Sequence, residues 1–252
     1  MVSGLEKTGA GGLIAVSGAL RELDVSDNAL KELPREFGAC ARLEVLTAFK
    51  NKLETIPEEI GACGKMREMN LFNNSLGSLP DGLSRCAALE VLNIASNKLV
   101  QLPDSAAWVR MTDFKAHRNE FSALPSFAEM ERLATVKLDM CKPLTALPEL
   151  GDQPALEHFE CQLCTISALP PTMVRWVALQ HLNCSSNNIA VVPPLALPAL
   201  KILKLYCNEI ERIPPELGQC GALETCFLQQ NRLKEIPADS VSRCQSAGDH
   251  CF

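Results

Sequence analysis

The stretch LEVLTAFKNKLETIP, residues 43–57, decides the fold, because the chain writes it again and again. LRELDVSDNALKELP precedes it at 20–34, and MREMNLFNNSLGSLP and LEVLNIASNKLVQLP follow at 66–80 and 89–103. The same frame restarts at Met111, Leu133, Leu156, Leu179, Leu200 and Leu223, so ten starts are spaced by 21 to 23 residues. A fixed period of this length marks a stack of small repeating units. Ten of the sixteen prolines close a unit at one phase, from Pro34 to Pro237.

Each unit dictates its own local structure. The opening residues alternate apolar and polar, the period of a short strand with one face buried. An asparagine then recurs where the chain must leave the strand: Asn28, Asn51, Asn74, Asn97, Asn119, and later Asn187, Asn208 and Asn231. Its amide can serve backbone groups that a buried turn would otherwise leave without partners. About five apolar positions per unit are worth ~1.5–3 kcal/mol each when buried. Ordering some twenty residues costs ~1–2 kcal/mol apiece, so no unit stands alone and stability must come from stacking.

The pattern L-x-x-L-x-L-x-x-N-x-L resembles the leucine-rich repeat over roughly residues 20–244. The phrase IPEEIGACGKM at 56–66 is similar to the LPxxIGxLxxL signature of the intracellular Ras-group subclass, which holds plant proteins and animal Ras-pathway scaffolds. The resemblance implies an α/β solenoid, a right-handed horseshoe with a parallel concave β-sheet and short helical or extended convex segments. The expected organisation is an N-terminal cap (1–19), ten repeats (20–244) and a short tail (245–252). Two departures stand out. Cys141 and Cys164 occupy the asparagine position and an extra residue enters near Pro143, which predicts a local irregularity in the sixth and seventh repeats. The prolines after Pro193 predict an extended convex segment there.

Composition narrows the function. A net charge of −6 argues against a general nucleic-acid binder. With 5% aromatic residues, aliphatic side chains must fill the core. No apolar run approaches the ~20 residues of a membrane span. The first residues lack a secretory core, and neither a prenylation motif nor a myristoylation site is present. The expected location is cytoplasmic. No phosphate-binding glycine loop and no nucleophile–histidine–acid grouping emerges, so neither an enzyme nor a cofactor is expected.

Cys161 and Cys164 have the spacing of a redox or zinc pair. Cys161, Cys184 and Cys226 fall on inward strand positions, however, and Cys40, Cys63, Cys86 and Cys220 share one convex position. Free cysteine serves as a small hydrophobe, so the expectation is reduced, metal-free thiols. Trp108 and Trp176 are read as core, and the two N-x-S sequences at Asn73 and Asn183 as strand residues.

The outward strand positions carry the functional signal. One column runs Ser26, Phe49, Phe72, Ala95, His117, Asp139, Gln162, Ser185, Tyr206, Gln229. Its neighbour runs Asp24, Thr47, Asn70, Asn93, Lys115, Lys137, Glu160, Asn183, Lys204, Phe227. Large rings turned toward solvent suit an interface centre better than a solvated sheet, although ring packing along a ladder also stabilises a sheet. Charges on this face sum to −1 in the first four repeats and +1 in the last six, a mixture that suits a folded protein. The expected protein-binding residues are Phe49, Phe72, Lys115, His117, Arg118, Lys137, Tyr206 and Phe227. The expected role is an adaptor or scaffold without catalysis, as a monomer or a subunit of a hetero-complex. The resemblance implies a small GTPase or a phosphatase complex as one partner class. The alternative is the recognition part of a larger multidomain enzyme or receptor.

Overall fold

The computed structural model describes residues 18–237, which form parts of two compact units, 1–119 and 120–252. The expected tail with Cys251, the end of the last repeat with Cys244, and nearly all of the expected N-terminal cap lie outside the described residues.

The first unit holds β1 (Glu22–Asp24), β2 (Val45–Thr47), β3 (Glu68–Asn70), β4 (Val91–Asn93) and β5 (Asp113–Lys115), parallel and paired in chain order. The second holds β6 (Thr135–Lys137), β7 (His158–Glu160), β8 (His181–Asn183), β9 (Ile202–Lys204) and β10 (Thr225–Phe227), again parallel and in order. Registers match repeat position to repeat position, Leu46 with Met69 and Leu182 with Leu203. Sheet pairing therefore stacks like on like, about 4.8 Å apart. The central residue of each strand from β2 to β10 points into the core, and so does the second leucine or its substitute, such as Ala48, Leu71 and Cys161. This is the fold of a leucine-rich-repeat solenoid.

Each strand is only three residues long because the chain leaves it through a left-handed residue. That position is Asp27, Lys50, Asn73, Ser96 or Arg118 in the first unit, and Met140, Leu163, Ser186, Cys207 or Gln230 in the second. Asn73 is thus a turn residue at φ 56°, not the strand residue expected, whereas Asn183 does lie in β8. The ladder asparagine follows the left-handed residue. The Asn97 amide donates to the carbonyls of Leu71 and Ile94, both at 3.0 Å, and its Oδ1 accepts the Leu76 N–H at 3.0 Å. Asn187 repeats this with Cys161, Cys184 and Ile166 at 2.8, 3.1 and 3.0 Å. The amide both donates and accepts, and so ties each coil to the one before it.

The expected irregularity is present in the sixth repeat. Residues 142–143 form an extra turn, closed by the Leu144 N–H on the Cys141 carbonyl at 2.9 Å. At the ladder position of the next coil, Cys164 donates its thiol to the Leu138 carbonyl at 3.3 Å. Cysteine thus replaces the donor half of asparagine.

The convex side begins at the periodic proline, whose fixed φ holds an extended residue ahead of a short 3-10 turn. Such turns cover Arg35–Ala39, Glu58–Ala62 and Asp81–Arg85 in the first unit. Pro171–Arg175 and Pro215–Gln219 form them in the second. Among the described residues the helical elements are these 3-10 turns alone. After Pro193 the backbone is extended, as the prolines predict. Neighbouring turns approach so closely that a Cβ on Gly61 would stand 2.3 Å from the Gly82 carbonyl oxygen.

A second ladder runs through these convex segments, three residues before six of the repeat starts. Cys63 donates to the Phe37 carbonyl (3.4 Å), Cys86 to Ile60 (3.6 Å) and Cys220 to Leu195 (3.2 Å). At the same position the Trp108 ring N–H reaches the Leu83 carbonyl (3.2 Å), the Gln153 amide reaches Phe127 (3.0 Å) and the Trp176 ring N–H reaches Gly151 (3.1 Å). Both tryptophans are fully buried, as expected of core residues.

Candidate protein-binding face

Alternation leaves one face of each unit's strands uncovered by core, and that open face carries the expected binding residues. In the first unit Phe49 and Phe72 occupy equivalent positions on adjacent coils, both half-buried. The Asp27 N–H bonds the Phe49 carbonyl at 3.0 Å and the Lys50 N–H bonds the Phe72 carbonyl at 2.8 Å, which fixes that stacking. The Lys50 ammonium stands 5.7 Å from the centre of the Phe49 ring and 3.5 Å from the Asp27 carboxylate. It therefore links charge and ring at the edge of the face. Lys115 and His117 are half-buried on the same unit, and Arg118 is exposed at its left-handed turn. Ala95, in the same column, is fully buried.

The second unit builds a more defined site. A hollow of about 450 Å³ opens on its face, lined by residues from β7 to β10 and the residues just beyond them. Tyr206 and Phe227 belong to its wall, and Phe227 is 36% exposed despite its size. Lys137 lies beside the hollow, paired with Glu160 at 3.1 Å. The Asn183 amide donates to Gln162 Oε1 at 3.1 Å while its own oxygen accepts from the Ser185 hydroxyl at 2.8 Å. These amides are therefore committed to one another and hold the wall rigid. His158 and His181 stack on adjacent strands with ring centres 5.9 Å apart. Burial holds the His181 imidazole below its usual range, with Glu160 pulling the other way. Near neutral pH the imidazole is uncharged.

Asp139 departs from the reading of the column as an exposed face. It is buried, its Oδ1 accepts the Gln162 N–H at 2.9 Å, and burial raises its carboxyl to about 6, opposed by that hydrogen bond and by Lys137 and helped by Glu160. Size and charge in the sequence single out Lys137, Tyr206 and Phe227, but pass over Gln162, His181, Asn183, Lys204 and Gln229, which line the same hollow. All five stand in or beside the outward columns, so their position was available and their partnership was not.

The cysteines behave as packing residues. Those of the strands and convex segments are buried, and all ten described ones are free thiols. Burial pushes Cys63 up to about 12 and Cys86 up to about 11. The Cys161 thiol donates to Cys184 Sγ at 3.2 Å, and that contact, together with burial, holds it well above its usual value. Such thiols stay protonated and inert. Cys207 is only half-buried, and its thiol reaches the Gln230 side-chain oxygen. Among the described residues, no group of three or more His, Cys, Asp or Glu side chains could hold a metal ion. Among them, too, no helix is long and apolar enough to cross a membrane.

Comparison with known proteins agrees with this geometry. Leucine-rich-repeat family models match residues 19–40, as a single repeat, and 177–218, as two copies. Among solved structures, a leucine-rich-repeat protein of Leptospira interrogans is similar at 27% identity and a TM-score of 0.82, covering 92% of this chain. The ectodomain of the Arabidopsis thaliana membrane receptor kinase GASSHO1/SCHENGEN3, solved in complex with Casparian strip integrity factor 2, is similar at 25% identity and 0.64 over 89% of this chain. An internalin of Listeria monocytogenes shares the fold at 20% identity and 0.55, covering 95% of this chain and 88% of its own. The chain spans 60% of the length of the Leptospira protein and 26% of the Arabidopsis ectodomain. No curated protein sequence matches it significantly. The class of fold is defined all the same: a leucine-rich-repeat solenoid, in which family models find repeats and to which solved leucine-rich-repeat structures are similar.

Proposed function

We propose that the chain is a non-catalytic adaptor that holds a protein partner against the open face of its strands. The observation that carries this reading is the hollow of the second unit, where Phe227 and Tyr206 flank a self-satisfied wall of amides. Aromatic anchors beside a rigid polar frame are the usual centre of an interface, because little further entropy is lost on binding. The expected contacts are Phe49, Phe72, Lys115, His117 and Arg118 in the first unit, and Lys137, Tyr206 and Phe227 in the second. The Arabidopsis ectodomain, crystallised in complex with Casparian strip integrity factor 2, supports partner recognition by this fold. The Ras-group signature at 56–66 favours a role in signalling, with a small GTPase or a phosphatase complex as partner. The ten free thiols among the described residues, nine of them buried, favour a reducing, cytoplasmic setting.

Site-specific photocrosslinking in native cells tests this. A benzoylphenylalanine at Phe72 or Phe227 should capture a discrete partner, whereas one at Val109 or Val177, exposed on the convex segments, should not. Capture only from the convex positions would reverse the assignment.

A further inference from the structure

We infer that the hollow of the second unit selects a partner segment carrying a carboxylate next to an apolar side chain, with Lys204 as the anchor for the acid. This rests on the reading of the open face as the binding surface. Four observations lead to it. Lys204 is half-buried in the hollow, between Asn183 of β8 and Phe227 of β10 in the strand register. The acid that lines the same hollow, Glu160, is already held by Lys137 at 3.1 Å, and Lys204 forms no ion pair among the described residues. The nearby amides of Asn183 and Gln162 are occupied with each other and with Ser185. Phe227 and Tyr206 remain partly open beside the ammonium.

The hollow therefore offers one cation without an ion-pair partner, set among occupied amides and beside the rings of Tyr206 and Phe227. A neutral or basic segment pressed into it would strip water from the Lys204 ammonium and supply no counter-charge, which is costly. A carboxylate would replace that water with a charge-assisted hydrogen bond, made stronger by the rings that exclude solvent. An aliphatic or aromatic neighbour would cover Phe227. A nucleic-acid backbone fits poorly, because Glu160 shares the hollow with this single lysine.

Panning the full chain with a phage-displayed random dodecapeptide library tests the inference, with enriched peptides measured by fluorescence polarisation. The expected consensus contains Asp or Glu adjacent to a large apolar residue. Lys204→Ala, or an acid-to-amide change in the peptide, should weaken binding at least about tenfold, the size of one lost anchor. Lys204→Glu should abolish binding and recover it with the peptide whose acid is replaced by lysine. Unchanged thermal melts establish that these surface variants fold. A consensus without an acid, or no enrichment at all, overturns the inference. Peptides that require Phe227 but tolerate Lys204→Ala overturn it while leaving the open-face reading intact. Peptides indifferent to both Phe227→Ala and Lys204→Ala overturn both.

Discussion

The two ladders of this molecule do similar work with unequal freedom. On the inner turn, asparagine must donate two hydrogen bonds and accept a third, as Asn97 does with Leu71, Ile94 and Leu76. One side chain of that length offers both chemistries, so the same residue recurs. On the convex side a single donor is enough, and cysteine, tryptophan and glutamine exchange freely at Cys86, Trp108 and Gln153. The inner ladder also shows when its rule relaxes. Leu144 turns its N–H onto Cys141 within its own turn, so Cys164 has a donor's task only and a thiol suffices. The number of bonds a position must make thus sets how much its residue type can vary.

The comparison breaks first at the bulkiest convex position. Trp108→Ala should cost about 3–5 kcal/mol by chemical denaturation, since it opens a cavity in a fully buried site. Trp108→Phe keeps most of the volume and loses the bond to Leu83, so its cost should be nearer 1–2 kcal/mol. A negligible loss for Trp108→Phe would mean that the ladder bond contributes nothing beyond packing.

The inner ladder sharpens it next. Asn97→Ala leaves the buried Leu76 N–H without its acceptor and the Leu71 and Ile94 carbonyls with the amides of Asn74 and Asn119 alone, and should cost about 2–3 kcal/mol. Cys164→Ala removes one weak thiol donor and should cost about 1 kcal/mol or less. Similar losses at both sites would refute the distinction between a bidentate and a donor-only position.

A smaller effect depends on pH. Asp139 has its folded pKa raised to about 6 from 3.8, so the folded state binds its proton more tightly than the unfolded state. Between about pH 4 and 6 the native form therefore holds more protons, and stability falls as pH rises through that window. Asp139→Asn keeps an acceptor for the Gln162 N–H and removes the buried charge. Its melts should match wild type near pH 4 and exceed it by about 1–2 kcal/mol above pH 6.5. A variant destabilised at pH 7.5 would show that the ionised carboxylate is held favourably after all.

What was legible in the sequence follows the same division. Strands, asparagine turns and proline phases could be read because each repeats one residue type at one spacing. The convex ladder could not, because Cys86, Trp108 and Gln153 share a hydrogen-bond donor and neither size nor hydropathy. Alternation placed Asp139 correctly on the outward side but could not show that it is buried there. Asn73 was read as strand because the left-handed position tolerates Asp, Lys, Ser, Arg and Met alike and so leaves no sequence mark. Lys204 was placed in the outward column but not chosen as a binding residue, since nothing local distinguishes a lysine without an acid from Lys137, which has one.

The claim that the open face binds, and does not merely pack, is tested most directly by measuring partner capture and melting on the same variants. Phe49→Ala, Phe72→Ala and Phe227→Ala should each weaken capture from native extract by about 1–3 kcal/mol while melting close to wild type. Leu71→Ala, a fully buried neighbour, should lose about 2–5 kcal/mol of stability. If the three ring variants retain every partner and melt as low as Leu71→Ala, the rings are core and the binding face lies elsewhere.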